Sequence, residues 1–375
     1  MSTARRVSLS GTSFGRASLS ALLVAGLGAT VSPAVAQDAP HARSAPKVER
    51  VSTAADGAEA DGASRTASIS ANGRYVAFYS DAENLTEGHQ GPYDWAFVKD
   101  LKTGEVKRLK NSMAAPVISD DGRYAAHTGW GAHGINVFLT DLSTGEIKQI
   151  DGRRFKYSAS SPAISANGRY VAYDLQPQHP GDPQRVEVYD RETDTREVIS
   201  DGPPDSARDM ADPSISADGR HVAYEDEGTG EVWLRDRATG GLTRVDDGTP
   251  SRLVQVNGRT VAMNGPDGAY VRDLRTGKVQ HFAGASAQAV SRDGRRLVYG
   301  ISGASGVSGA SGDGRPEIRL RHLPSGRERT IGHGGSATVG AIADEGRSIV
   351  YSSADTDIVP GDTNGVSDIF LRHIH

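Results

Sequence analysis

One short phrase returns seven times along the chain. It reads Ser68-Ile-Ser-Ala-Asn-Gly-Arg-Tyr-Val-Ala-Phe78, then Val117-Ile-Ser-Asp-Asp-Gly-Arg-Tyr-Ala-Ala-His127, then Ala163-Ile-Ser-Ala-Asn-Gly-Arg-Tyr-Val-Ala-Tyr173. Weaker copies centre on Gly219, Gly258, Gly294 and Gly346. Successive copies lie roughly 35–55 residues apart, the period at which a repeat means a propeller or a solenoid. Each copy holds an Asn-Gly, Asp-Gly or Glu-Gly pair between two apolar segments. Asn-Gly and Asp-Gly accept the positive φ of a tight hairpin, which makes them a strong hairpin signal. The run after each pair, such as Leu297-Val-Tyr299, is apolar enough for a strand covered on both faces.

A second hairpin follows in most repeats, around Thr103-Gly104, Thr144-Gly145, Thr239-Gly240, Thr276-Gly277 and Ser325-Gly326; the third repeat has Asp194-Thr195 there. Four antiparallel strands per repeat, seven times, predict an all-β fold, a seven-bladed β-propeller. The seventh repeat stops short of a fourth strand, while Lys47-Val-Glu-Arg-Val-Ser52 has a fourth strand's pattern with no third strand before it. Residues 47–52 are therefore expected to close the ring as the last blade's outer strand, removing two open sheet edges.

Residues 1–36 read as a secretory signal peptide. Arg5 and Arg6 are basic, residues 19–31 are apolar, and Ala34-Val35-Ala36 is a small-residue cleavage site. The remainder divides into a flexible segment, 37–46, and the propeller, 47–375. The pair Arg5-Arg6 leaves both the general secretory and the twin-arginine routes open. Cysteine is absent, so stability must come from packing and closure rather than disulfides. The leader holds three arginines and no acid, so its loss lowers the net charge by three, from -5 to -8. A mildly acidic product excludes general nucleic-acid or anionic-membrane binding, and no later stretch is apolar enough to span a membrane. The expected product is exported, periplasmic or extracellular, and monomeric.

The Ser-x-(Asp/Asn)-Gly-Arg phrase and the apolar strand after it resemble the WD40-like (PD40) repeat of the TolB propeller and of peptidase-associated propellers, over roughly residues 47–375. The resemblance implies an exported binding protein of the cell envelope. The seventh repeat, running from Ala354 to Phe370, resembles a version found in exported bacterial repeat proteins.

Propeller geometry puts the Asp-Gly and Thr-Gly turns on one face and the longer, irregular loops on the other, where function is expected. Three groups stand out there. Arg153, Arg154 and Tyr157, with Arg208 one repeat on, could hold an anionic glycan or a carboxylate; Trp130 and His133 complete the candidate ligand-binding set. A solvated loop over a packed aromatic competes with that reading. Asp355, Asp357, Asp362, Asn364 and Asp368 resemble part of a calcium loop, against an Asx-capped turn; beyond calcium no cofactor is expected. His89, His133, His179 and His333 fall in loops without a paired metal-binding spacing. Residues 302–314 read as a flexible Gly-Ser-Ala loop. No nucleophile elbow, phosphate loop or zinc pattern occurs, so no catalytic residue is assigned. The sequence thus favours a binding or scaffolding module for a protein or polysaccharide over the alternative, a metal-dependent polysaccharide lyase or hydrolase.

Overall fold

A computed structural model describes residues 48–88, 95–131, 134–152, 156–179, 182–200, 209–302, 315–343 and 346–374. Residues 1–36, read above as a signal peptide, and the whole segment 37–46 lie outside the described residues, as do most of 302–314. The chain forms seven antiparallel sheets in sequence order around a ring, a seven-bladed β-propeller. In blade 1 the strands run Ser64–Ile69, Tyr75–Ser80, Ala96–Asp100 and Val106–Leu109, from the axis outward. The inner strands of blades 2 to 6 are Val117–Ile118, Tyr157–Ile164, Met210–Ile215, Arg252–Asn257 and Ala285–Val290. Blade 7 takes its inner positions from Gly335–Ser336 and Ile342–Ala343, both paired to Ser348–Ser353.

The N-terminal closure is present. Val48–Arg50 pairs antiparallel with Asp368–His373, placing Glu49 opposite Leu371. Beyond the strand, the Val51 amide donates to the Ile369 carbonyl at 2.7 Å, and Ser52 Oγ donates to Asp368 Oδ1 at 2.6 Å. The seam is finished on the inside, where the Ile69 amide of blade 1 donates to the Gly340 carbonyl of blade 7 at 2.9 Å.

Every other inter-blade step carries an inner-strand hydrogen bond as well. Ala71 N donates to Asp120 O, Asp120 N to Ala166 O, and Ala166 N to Ala217 O. Further round, Val256 N donates to Ser214 Oγ, Val290 N to Gln255 Oε1 and Ala337 N to Gln288 Oε1. Between these polar rungs the blades pack through large apolar side chains; Phe78, Phe97, Tyr173, Tyr189, Tyr224, Tyr351 and Phe370 are fully buried.

The repeated phrase now has a physical meaning residue by residue. Its Ser hydroxyl takes the amide hydrogen of the Tyr five residues on and donates to the Asn or Asp two residues on, as in Ser165–Tyr170 and Ser165–Asn167. Its Arg makes a two-pronged pair with the Asp that ends the third strand: Arg74 with Asp100, Arg169 with Asp190, Arg220 with Asp236. Such fork-to-fork pairs are geometrically specific, and the Arg74 guanidinium holds the Asp100 carboxyl at about 2. Its Gly has two duties. Gly168 sits at φ +65°, and a Cβ there would lie 2.5 Å from the Tyr124 ring of the preceding blade; Gly122 and Gly219 meet Tyr75 and Tyr170 in the same way. Asp194, standing where the third repeat lacks its turn glycine, adopts φ +54°.

Two predictions follow from this architecture. Deleting residues 47–52 removes a strand and the buried Val51, and should lower Tm by about 5–10 °C; an unchanged melt would contradict the closure. His127 is buried without exposure, hydrogen-bonds Thr140 Oγ1 at 2.9 Å, and burial pushes its pKa down to about 4. The unfolded chain, titrating near 6.5, binds the proton first, so stability is lost as pH falls from about 6.5 to 4. A His127→Gln variant should be less stable at pH 7 but should lack up to about 3 kcal/mol of that acid loss, read as ΔG of urea unfolding against pH.

Candidate functional site

The axis of the ring is an elongated cavity of about 280 Å³ lined from all seven blades, with Ser68, Ile118, Pro162, Pro213, Gln255, Arg292 and Gly340 among its walls. Its two ends differ. At the turn face Arg292 of blade 6 forms an ion pair with Asp120 of blade 2. These blades are not neighbours, so the pair spans the lumen. Burial lowers the Arg292 pKa and raises that of Asp120. The pair crosses that end of the cavity, its side chains 24% and 27% exposed.

The loop-face end is built on strain. Each inner strand of blades 1, 3, 4, 5 and 6 breaks register where it approaches this end. A bulge of this kind re-aims a side chain. In three blades the bulged residue is a non-glycine in the left-handed region: Thr66 at φ 53°, Ser161 at 50° and Asp212 at 46°. Ser161 and Asp212 precede Pro162 and Pro213, and a residue before proline ordinarily stays extended. Left-handed non-glycine residues cost roughly 1–3 kcal/mol each and gather at functional sites.

Carboxylates of blades 3 and 4 gather at this end; Asp212 lines the axial cavity, while Asp174 and Glu225 are buried behind it. Ser161 Oγ donates to Asp212 Oδ1 at 2.9 Å, and Ser160 Oγ to Asp174 Oδ1 at 2.6 Å. Glu225 accepts the Leu253 amide at 3.0 Å and pairs with Arg252. Burial raises the pKa of Asp174, Glu225 and Glu227, and the Asp212 charge pushes all three the same way. Asp209 adds to the raising of Glu227. The arrangement is one of crowded negative charge, with Arg252 the compensating cation in those interactions. It can receive a cation; it is poorly suited to a polyanion.

The sequence candidates fare unevenly. Arg153, Arg154, His133 and Arg208 lie outside the described residues, as does His89. Tyr157 opens the inner strand of blade 3 half-buried, with the Arg185 guanidinium 4.5 Å over its ring. Trp130 is 52% exposed at the tip of the long hairpin of blade 2. Asn111, itself at φ 55°, clamps the tryptophan's backbone, accepting its amide hydrogen at 2.8 Å and donating to its carbonyl at 3.1 Å. This tryptophan is presented to solvent rather than packed between blades.

The acidic set divides into two groups. Asp355 and Asp357 both face Arg315, at 3.0 and 3.3 Å. Asp362 and Asp368 instead meet Glu59 and Arg50 at the seam. Asn364 serves the backbone, donating to Ala60 O and accepting from Val366 N. His179 follows the second strand of blade 3 and His333 ends the outer strand of blade 6; neither is among the residues lining the axial cavity.

Sequence reasoning missed the mouth. The Ser161-Pro162 and Asp212-Pro213 pairs just before two copies of the repeated phrase were its available signal, since proline is displaced from regular sheet positions to bulges. A larger groove of about 420 Å³ between blades 1 and 2 is lined by Arg74, Tyr75, Asp100, Gly122 and Arg123. These are the scaffold residues of the repeated phrase.

No family model matches the chain, and no curated protein does. Solved structures share its fold. Oligogalacturonate lyase in complex with manganese aligns over 89% of this chain and 94% of its own, at 13% identity and a TM-score of 0.60. The β-propeller domain of the trilobed protease from Pyrococcus furiosus, which has an open velcro topology, aligns over 84% and 94%, at 14% identity and a TM-score of 0.55. TolB from Acinetobacter baumannii aligns over 86% and 81% at 14% identity, with a TM-score of 0.43. At these identities the likeness is one of fold.

Strain at the mouth should be separable from global stability. Asp212→Gly removes a Cβ from a left-handed position and one charge from a crowded group, and should raise stability by about 1 kcal/mol. Thermal melting measures this; a fall in Tm would show that the Ser161 hydrogen bond outweighs the strain.

Proposed function

We propose that the protein is an exported propeller that binds a protein partner at its loop face, with a basic group of that partner entering the acidic mouth and Trp130 contacting its surface. The observation that carries the reading is the coincidence of strained bulges and the Asp212 carboxylate at one end of an axial cavity whose other end is crossed by the Arg292–Asp120 pair. A cavity crossed at one end suits the capture of a side chain or chain terminus rather than passage through the ring. An exposed, backbone-clamped tryptophan on the loop face is the kind of anchor that dominates protein interfaces. Export rests on the signal-peptide reading of residues 1–36, and a cell-envelope or extracellular setting goes with it. Each blade leaves only the short outer edge of its fourth strand for pairing with a second copy, which fits a monomer. Arg153, Arg154, Tyr157, His133 and Arg208 stay, in this proposal, candidate ligand-binding residues.

The lyase alternative asks for a metal-binding or proton-transferring group facing an acidic sugar. The described histidines do not gather at the mouth, and its carboxylates would repel such a substrate. Binding is therefore the better-supported reading.

Calorimetry of the mature protein against an oligolysine peptide, a chitosan oligomer and polygalacturonate tests it. The peptide should bind, at least tenfold more weakly after Asp212→Asn with Glu227→Gln, and more weakly again at high salt. Trp130→Ala should weaken it further. Binding or cleavage of polygalacturonate with no affinity for the peptide would overturn the proposal in favour of the enzyme; tighter binding of chitosan than peptide would replace the protein partner with a cationic glycan.

A further inference from the structure

The seam of the ring holds a second group of carboxylates, remote from one another in sequence and poorly matched in charge. Glu59 lies in the segment that follows the closing strand. Asp362 lies in the last loop and Asp368 opens the last strand. One oxygen from each lies within 4.8 Å of the other two. The Asp362 and Asp368 side chains are 1% and 0% exposed, and Glu59 is 19% exposed.

Hydrogen bonding leaves this group unsatisfied. Both carboxylate oxygens of Asp362 and Oδ2 of Asp368 are buried without a hydrogen-bond partner. Arg50 supplies one positive charge against three negative ones. It touches Glu59, but its Nη2 stands 3.8 Å from Asp362 and its Nε 3.6 Å from Asp368, beyond hydrogen-bond reach, and both nitrogens are themselves without a partner. Buried carboxylates are ordinarily hydrogen-bonded, paired or bound to a metal. Thr363 supports the group from the side, its amide and hydroxyl both donating to Glu59.

We propose that Glu59, Asp362 and Asp368 form a calcium-binding site that clasps the two ends of the chain together at the ring seam. Three properties select the ion. The donors are all carboxylate oxygens, with no imidazole or thiolate, which favours a hard cation over zinc or copper. Oxygens within 4.8 Å of one another can share one ion; three carboxylates from separate stretches of chain suit the flexible shell of calcium, with ligands at about 2.3–2.6 Å, better than the near-ideal octahedron at about 2.1 Å that magnesium demands. The net charge of the group with Arg50 is -2, which one divalent cation neutralises. Burial raises the pKa of both Asp362 and Asp368, consistent with carboxylates lacking a cation. The site joins residues some 300 positions apart, as the Thr363–Glu59 separation of 304 shows. It can therefore form only once the ring has closed, so bound calcium would stabilise closure itself.

The test uses the full mature chain, stripped with EGTA and titrated with calcium by calorimetry, with Tm followed in parallel. One calcium should bind with Kd of about 10⁻⁴–10⁻³ M, the range of extracellular modules, and near-saturating calcium should raise Tm by about 3–5 °C. Asp362→Asn keeps the side chain's shape and should abolish both effects, while Asp357→Asn, beside Arg315, should leave both intact. Absence of calcium binding in the unsubstituted protein would overturn the proposal whatever the variants do. So would an undiminished response in Asp362→Asn, or an equal response to magnesium.

Discussion

Everything in this molecule depends on closing a ring of sheets so that no blade is left without a neighbour on either face. Each blade is a small twisted sheet whose inner strand would otherwise expose unpaired backbone and whose faces would expose Phe, Tyr and Val. The solution is a relay of inner-strand hydrogen bonds passed from blade to blade, with Asp120 and Ala166 each donating forward and accepting from behind. Such a relay is only as strong as its weakest step. At the one step where the chain is not continuous, Val48–Arg50 supplies the missing strand and Ser52 ties it to Asp368. The seam is thus where chain ends, buried charge and ring integrity meet. Its three carboxylates carry more negative charge than Arg50 offsets.

The two ends of the axis divide structure from function by the same economy. The turn face is uniform because the repeated phrase fixes it: serine, Asx, glycine and arginine each satisfy a defined backbone or neighbouring-blade group. A face built that way has little freedom to recognise anything, and the Arg292–Asp120 pair crosses the cavity there. The loop face is free of that constraint. Its inner strands bulge, three of them at residues whose backbone is strained, and negative charge collects around Asp212. Strain and like-charge crowding both lower stability, and each is tolerated only because the ring is over-determined elsewhere. Trp130 shows the same logic in a hairpin: its exposure costs contact area, yet Asn111 holds it in place.

Much of the fold was legible in the sequence because hairpin chemistry is local. Asn-Gly, Asp-Gly and Thr-Gly encode turns within four residues, and their sevenfold return leaves few architectures open. The resemblance to TolB-like repeats carried the same information about fold, and the solved structures that share the fold add no activity to it. The candidate sites were legible only in part. Trp130 stands at a hairpin tip, half exposed, with its backbone held by Asn111. The acidic set of the seventh repeat proved to be two groups, because the backbone turn between Asp357 and Asp362 sends them to different partners, Arg315 on one side and the seam on the other.

What the sequence determined by itself was the repeating unit, the number of blades and the closing strand, since each follows from periodicity and from turns formed between near neighbours. Tertiary structure alone decided which distant residues share a site. Glu59 and Arg50 join Asp362 and Asp368 only because the ring brings residue 50 beside residue 370. Asp174, Asp212 and Glu225 converge only because blades 3 and 4 are adjacent at the axis. The repeated glycine, too, reads as a turn residue until the neighbouring blade places a tyrosine ring against it. Charges and contacts of this kind are set by through-space distance, and no local pattern records that distance before the ring is closed.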